Sequence, residues 1–216
     1  GAIYGDYLST PDRPLEFGPM TKSEEQDWEA IPTTNESYGY HSLDKSHKSP
    51  SHFIRLLAKA AAKGGNLLLN IGPMGSGKMA PEDLSILHSI GKWWEVNGES
   101  IRGTTRTPLM RQSWGDSTLK GKNLYLHVFD WPSDGKLVVG GLKGEIEKAT
   151  LLADRKTKLT VKRKGIDVEI DLPPRAPDMA DSVILVECKA TPQGDPVFLV
   201  QKNMPNRLSV FFADLL

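Results

Sequence analysis

Lys63-Gly-Gly-Asn-Leu-Leu-Leu-Asn-Ile-Gly-Pro73 decides the fold class of the first half of this chain. Upstream of it, Phe53, Leu56, Leu57, Ala60 and Ala61 recur at helical spacing, Ser49 or Ser51 offers an N-cap, and Pro50 suits a first turn. Gly64-Gly65 stops that helix. Asn66 to Ile71 is apolar on both parities, the pattern of a parallel strand covered on both faces. Gly72 to Lys78 is a glycine-rich loop, and Pro81 begins a second helix whose predicted buried stripe is Leu84, Leu87, His88, Ile90, Gly91 and Trp94, ending at Asn97-Gly98. A helix, a strand and a loop at the strand's C-terminal end are how an α/β barrel or a doubly wound sheet builds an active-site rim.

The loop Gly72-Pro-Met-Gly-Ser-Gly-Lys78 comes close to a phosphate-binding loop. That motif needs a hydroxyl after its Lys to hold magnesium, and Met79 stands there. Pro81 lies where a helix would already wrap the phosphate, and no later strand ends in a Walker-type Asp. A strand-to-helix connection rich in Gly and Ser accounts for the same residues. No nucleotide or other cofactor is therefore expected. His41, His47 and His52 invite a metal reading, but no carboxylate or cysteine pattern completes a site, and no metal is expected.

Composition narrows the class further. The 216 residues are 38% hydrophobic and 25% charged, as in globular proteins, and suffice for one large domain or two small ones. Lys+Arg and Asp+Glu are both 27, which gives no electrostatic case for nucleic acid or an anionic membrane as partner. No apolar run approaches the roughly 20 residues that span a bilayer. One cysteine, Cys188, excludes a disulfide framework within the chain; it falls in a strand pattern as a packed thiol. The opening Gly1-Ala-Ile-Tyr-Gly-Asp6 has neither an initiator Met nor a leader, so a cut start is expected.

Residues 1–40 are rich in Pro, Gly, Thr, Ser and acidic side chains and read as long loops, anchored by aromatics such as Tyr4, Phe17, Trp28 and Tyr38. From about Thr105 the period changes. Leu124–Phe129, Leu137–Val139, Ala149–Leu152, Leu159–Val161, Ile166–Leu172 and Ser182–Glu187 are short apolar or alternating segments parted by turns, which predicts an antiparallel β-sandwich. The expected fold class is thus α/β plus all-β, with the first part at 1–104, the sandwich at 105–200, and 201–216 as a tail or an extra strand. One strand and two helices do not close an α/β domain, so the chain reads as the C-terminal part of something larger.

Four blocks, in order, resemble the α-L-fucosidases of glycoside hydrolase family 29. Gly5-Asp-Tyr-Leu-Ser-Thr-Pro-Asp12 is similar to the G-D-[FY]-x-T-P-E stretch of many bacterial members. Trp28-Glu29 followed by Ser37-Tyr-Gly-Tyr40 is similar to W-E…S-W-G-Y. Gly64 to Pro73 resembles G-G-N-x-L-L-N-I-G-P, and Ile90-Gly-Lys-Trp-Trp…Val96-Asn-Gly-Glu-Ser-Ile101 resembles I-G-x-W-L-x-x-N-G-E-x-I. Beyond residue 105 only the architecture matches, since members carry a C-terminal β-sandwich.

The resemblance implies the C-terminal portion of a (β/α)8-like barrel followed by that sandwich. It also implies retaining hydrolysis of terminal α-L-fucose, with a carboxylate nucleophile and a second carboxyl as acid/base. No segment here matches the family's nucleophile or its early His-rich motifs, so the chain alone is expected to be catalytically incomplete, its partner being the remaining N-terminal part of the catalytic domain. Substrates would be fucosylated oligosaccharides or glycoconjugates, and the family's compartments are secreted, periplasmic or lysosomal. For the acid/base, Asp12 falls at the place of the Glu in T-P-E, and Glu16 is the nearest true glutamate; the two stand as alternatives. Tyr38 takes the place of an aromatic that lines the pocket around the fucose methyl group, the wholly apolar end of the sugar. Trp28 and Glu29 are expected to shape the site, and Asn66 and Asn70 to hold the strand end and its loop. The competing reading is a non-catalytic carbohydrate-binding or structural β-sandwich with a barrel remnant, which would have no use for the blocks at 28–40 and 64–73.

Overall fold

Asn123–Val128 and Ser182–Cys188 are buried at nearly every position, which a one-sided sheet does not require. The computed structural model, which describes residues 7–10 and 27–195, explains why. These segments are central strands covered on both faces. Leu124, Leu126, Val128, Ile184, Val186 and Cys188 point into a core shared with a second sheet. Tyr125, Val183 and Leu185, at the opposite parity, pack on a helix layer through Ile54 and Trp93. Each fully buried Leu or Ile here contributes roughly 1.5–3 kcal/mol.

In chain order the elements are β1 (Leu8–Thr10), β2 (Trp28–Ala30), α1 (Pro50–Ala62), β3 (Asn66–Leu67), α2 (Pro81–Asn97), β4 (Gly115–Lys120), β5 (Asn123–Val128), β6 (Lys136–Val139), β7 (Leu142–Lys143), β8 (Ile146–Leu151), β9 (Asp154–Lys158), β10 (Val161–Lys164), β11 (Asp167–Asp171), β12 (Ser182–Cys188) and β13 (Gln193–Gly194). The large sheet runs β4-β5-β12-β8-β9 and the facing sheet β10-β11-β6, with β7 paired to β13. All these pairings are antiparallel and give a sandwich-like arrangement around one apolar core.

The first part differs from the expectation for residues 1–40. Where long loops were read, β1 and β2 form short parallel strands, and β3 joins them in the order β1-β2-β3. Three residues each are too few to show a period, and Ser9 and Thr10 look like loop residues. The strand expected over Asn66–Ile71 is regular only at Asn66–Leu67, and resumes as a parallel bridge between Thr33 and Asn70.

The helices form for the anticipated reasons. Ser49 caps α1 by accepting from the His52 amide at 3.3 Å, and Pro50 occupies the first turn. At its end Gly64, with φ 75°, donates to the Ala61 carbonyl and Gly65 donates to that of Ala60, a Schellman closure. The stripe of α2 is turned relative to its prediction: Asp83, Ile86, Trp93 and Asn97 are buried, whereas His88 and Gly91 are exposed. Trp93 packs against the sandwich and Asp83 faces His47, and no periodicity within the helix reveals either contact.

In the β half, β4 and β9 escaped the sequence reading. Every residue of β9 is exposed and its Asp-Arg-Lys-Thr-Lys sequence is that of a charged edge strand. Leu159 and Val161, read as one strand, flank the break between β9 and β10. Thr105 pairs with Leu119 of β4 in an antiparallel bridge. The proposed tail at 201–216 lies outside the described residues.

Polar contacts tie the helix layer to the large sheet. The Arg55 guanidinium donates to the Ala180 and Phe129 carbonyls, both at 2.8 Å, and lies over the Phe129 ring. Trp93 Nε1 donates to the Asp181 carbonyl at 2.9 Å. The Tyr125 hydroxyl donates to Glu99 Oε1 at 2.7 Å. Burial, and then the Glu99 carboxylate, push the Tyr125 hydroxyl pKa up to about 12. Among the described residues, no helix is long and apolar enough to cross a membrane.

Candidate active site

In a parallel sheet built with crossover helices, ligands gather at the C-terminal strand ends. Here those ends lead into two loops, residues 31–49 after β2 and residues 68–80 after β3. Asn70 joins them. Its amide donates to the Pro32 carbonyl at 2.9 Å, and its carbonyl accepts from Thr34 at 3.2 Å. Its side-chain Nδ2 donates to the Tyr38 carbonyl at 2.5 Å and to the Thr33 hydroxyl at 3.2 Å. A carbonyl only accepts, so the carboxamide nitrogen must face Tyr38.

Tyr38 is the only described non-glycine residue with a left-handed backbone, at φ 60°. An L-residue of this size there costs roughly 1–2 kcal/mol, which persists only when its surroundings hold it. The surroundings here are dense. Asn35 Nδ2 donates to the Gly39 carbonyl at 3.0 Å. The Tyr38 hydroxyl donates to the Ile31 carbonyl at 3.2 Å. Asp44 accepts from the Ser37 amide and hydroxyl at 3.0 and 2.5 Å and from the Ser46 amide and hydroxyl at 2.8 and 2.5 Å. The Ser37 and Ser46 hydroxyls, followed by the Ser46 amide, hold the Asp44 carboxyl far below the usual carboxylate range, so this staple stays ionised at mildly acid pH. Tyr38 is nonetheless 45% exposed, so its ring is available to a ligand.

Gly72 completes the rim. A Cβ built on it would lie 2.4 Å from the Tyr40 nitrogen and 2.5 Å from the Gly39 carbonyl carbon. Both are backbone atoms, so the 38–40 turn itself would have to move. Gly72→Ala is expected to cost about 1–3 kcal/mol by overpacking and to shift the Tyr38 turn. Thermal unfolding, together with protease sensitivity near Tyr38, checks this; an unchanged melting temperature would count against the close approach.

Trp28 is placed deeper. It is 2% exposed, its Nε1 donates to the Lys63 carbonyl at 3.3 Å, and its ring lies where a Gly65 Cβ would be, 2.2 Å away. With Ala30, Ala60 and Leu67 it forms the core between β2, β3 and α1. Alternation then points Glu29 to the opposite face of the sheet, where Leu68 is 53% exposed. The two alternative acid/base candidates, Asp12 and Glu16, lie outside the described residues. The histidines separate: His41 is exposed, His47 approaches the buried Asp83 at 3.7 Å, and His52 meets Phe53 edge-on. Among the described residues, no three His, Cys, Asp or Glu side chains converge as a metal site. In the 72–78 loop the Gly77 amide donates to Met74 and the Met74 amide to Lys78, both at 2.8 Å, so these amides serve the loop itself and not a phosphate. The sequence reading missed Thr33, Asn35 and Asp44, although short Asn, Asp and Ser side chains in a loop signal such side-chain-to-backbone bonding.

The Alpha-L-fucosidase family model matches residues 6–99. The tissue alpha-L-fucosidase of Bos taurus is 31% identical over 184 residues, which is 80% of this chain and 38% of that protein. Alpha-L-fucosidase isoenzyme 1 from Paenibacillus thiaminolyticus superposes with a TM-score of 0.79 at 30% identity, covering 86% of this chain and 45% of that one. A GH29 alpha-L-fucosidase from Bacteroides thetaiotaomicron, trapped as a covalent intermediate, gives a TM-score of 0.76 at 31% identity, covering 88% of this chain and 45% of that one. The chain thus spans less than half the length of the relatives it matches.

Proposed function

The chain belongs to the α-L-fucosidase family and covers the C-terminal part of its members, and on that premise we propose that the whole protein is a retaining α-L-fucosidase that removes terminal α-L-fucose from fucosylated oligosaccharides or glycoconjugates. In this reading residues 1–104 are the last units of a (β/α)8-like barrel, residues 105–200 a sandwich buttress, and the nucleophile belongs to the remaining N-terminal part of the catalytic domain. The observation that carries the reading is the three-stranded parallel sheet. One face packs on α1, the other leaves Leu68 open to solvent, and the C-terminal strand ends meet at Asn70, Gly72 and Tyr38. A parallel sheet with one bare face calls for more βα units to cover it.

Retention needs two carboxyl groups about 5 Å apart, one a nucleophile and the other an acid that becomes a base. Asp12 or Glu16, in the stretch of sequence between β1 and β2, supplies the second. Tyr38 offers its exposed ring to the C6 methyl group. Trp28 shapes the site from below by fixing β2 against β3, while Glu29 faces the barrel interior. A carbohydrate-binding module would have no need of a strained aromatic in the loop after β2, so the rim favours the enzyme. The family's secreted, periplasmic or lysosomal setting goes with this reading.

Hydrolysis of an aryl α-L-fucoside tests it, measured for the complete enzyme and for these 216 residues alone. Turnover by the complete enzyme and none by the shorter chain is the expected outcome. Turnover by the shorter chain would place a nucleophile within it, and inactivity of both would remove the fucosidase reading.

A further inference from the structure

We propose that Asn70 is a positioning residue that sets discrimination at the sugar's C6 carbon by fixing the backbone of Tyr38; the inference rests on Tyr38 lining the methyl pocket of a fucosidase. Asn70 is anchored on both sides of its backbone, through Pro32 and Thr34, and is paired with Thr33. That leaves its side chain a fixed lever. The lever's nitrogen reaches the carbonyl of the one described non-glycine residue in the left-handed region. The second donation, to Thr33, continues through the Thr33 hydroxyl to Asn35, and Asn35 Nδ2 reaches the Gly39 carbonyl. Two consecutive carbonyls, those of Tyr38 and Gly39, are thereby held by one amide-hydroxyl-amide relay rooted at the Thr33–Asn70 bridge. No Cβ fits at Gly72, so the turn has no room to settle toward the loop after β3.

The chemistry follows from the donor. Asn70→Asp keeps the shape but sets a carboxylate against a carbonyl, and two acceptors repel. The Tyr38 turn then leaves the left-handed region and its ring withdraws from the rim. An α-L-galactoside differs from an α-L-fucoside only in bearing a hydroxymethyl in place of the C6 methyl. A withdrawn ring takes contact away from the methyl and admits the hydroxyl. A group of this size in an apolar pocket is worth about 10–200-fold in discrimination.

The test is a double-mutant cycle in the complete enzyme, reading the ratio of kcat/KM for aryl α-L-fucoside over aryl α-L-galactoside. N70D is expected to lower that ratio by about 10-fold, Y38A to lower it similarly, and N70D on top of Y38A to change it no further. Asn70→Ala, which removes the donor without adding a charge, carries the same test if N70D fails to fold. A purely structural role would lower both rates together and leave the ratio unmoved, which would overturn the proposal. So would effects of N70D and Y38A on the ratio that multiply. A ratio that moves in Y38A but not in N70D removes only the role of Asn70. A ratio unmoved in Y38A removes Tyr38 from the methyl pocket, and absence of fucoside hydrolysis in the wild type removes the enzyme reading.

Discussion

In the complete enzyme, one of the variants Asp12→Ala and Glu16→Ala is expected to lower kcat/KM on a fucosylated oligosaccharide by about 10²–10⁴-fold, and the other to stay close to wild type. The argument is one of leaving groups. An oligosaccharide leaves as a poor alkoxide and needs a proton delivered as the glycosidic bond breaks. An aryl group with a low pKa leaves without that help, so the first chemical step of the true acid/base variant is much less impaired on the aryl substrate. The same residue later acts as the base that activates water, so burst kinetics with accumulation of the glycosyl-enzyme are expected on the aryl fucoside. Asp12 fits the T-P-E position, and a shorter side chain there demands a closer approach of the backbone to the sugar; Glu16 has the longer reach. Equal losses on oligosaccharide and aryl substrate would show that neither residue donates the proton.

What was legible in the sequence divides by physical cause. The cap at Ser49, the stop at Gly64-Gly65 and the strands at Leu124 and Ser182 are set by local chemistry and by apolar runs, and the structure has them. The short strands β1 and β2 are stabilised by their parallel neighbours and by the Trp28 ring, not by their own three residues, so local reading missed them. β9 was hidden by its charge and the stripe of α2 by its dependence on the sandwich. At the candidate site, Tyr38 and Asn70 were legible because a motif carries them. Asp44 was not, because its role appears only once Ser37 and Ser46 fold back on it. His127 and Asp181 lie far apart in sequence and in segments that read as plain strand and turn, so their pairing had no signature at all.

That pairing carries the largest expected effect on stability. His127 Nδ1 and Asp181 Oδ2 are 2.7 Å apart, and both side chains are fully buried between the large sheet and α2. His127 Nε2 is 3.3 Å from the Thr118 hydroxyl, whose own hydrogen goes to the Ser100 carbonyl at 2.5 Å. Thr118 therefore accepts from Nε2, which must carry a hydrogen. A second proton occupies the Nδ1–Oδ2 contact, and the pair is neutral as a whole. The chain of bonds runs from the residue before β12 through β5 and β4 to the turn after α2, while Trp93 of α2 holds the Asp181 carbonyl. The pair is thus the polar centre of an otherwise apolar joint. Asp181→Ala leaves a buried imidazole with a dangling donor or an uncompensated charge, at a cost of about 3–5 kcal/mol. For a chain of this size that is on the order of a 10 °C fall in melting temperature. Asp181→Asn keeps an oxygen and a nitrogen in place; its amide can donate to Nδ1 of the neutral ring, and the expected loss is about 1 kcal/mol. Thermal unfolding of the two variants decides the matter. Equal losses would mean that cavity and not proton bookkeeping sets the cost, and a small loss in both would mean that the joint is held by Trp93, Ile54 and Tyr125 alone.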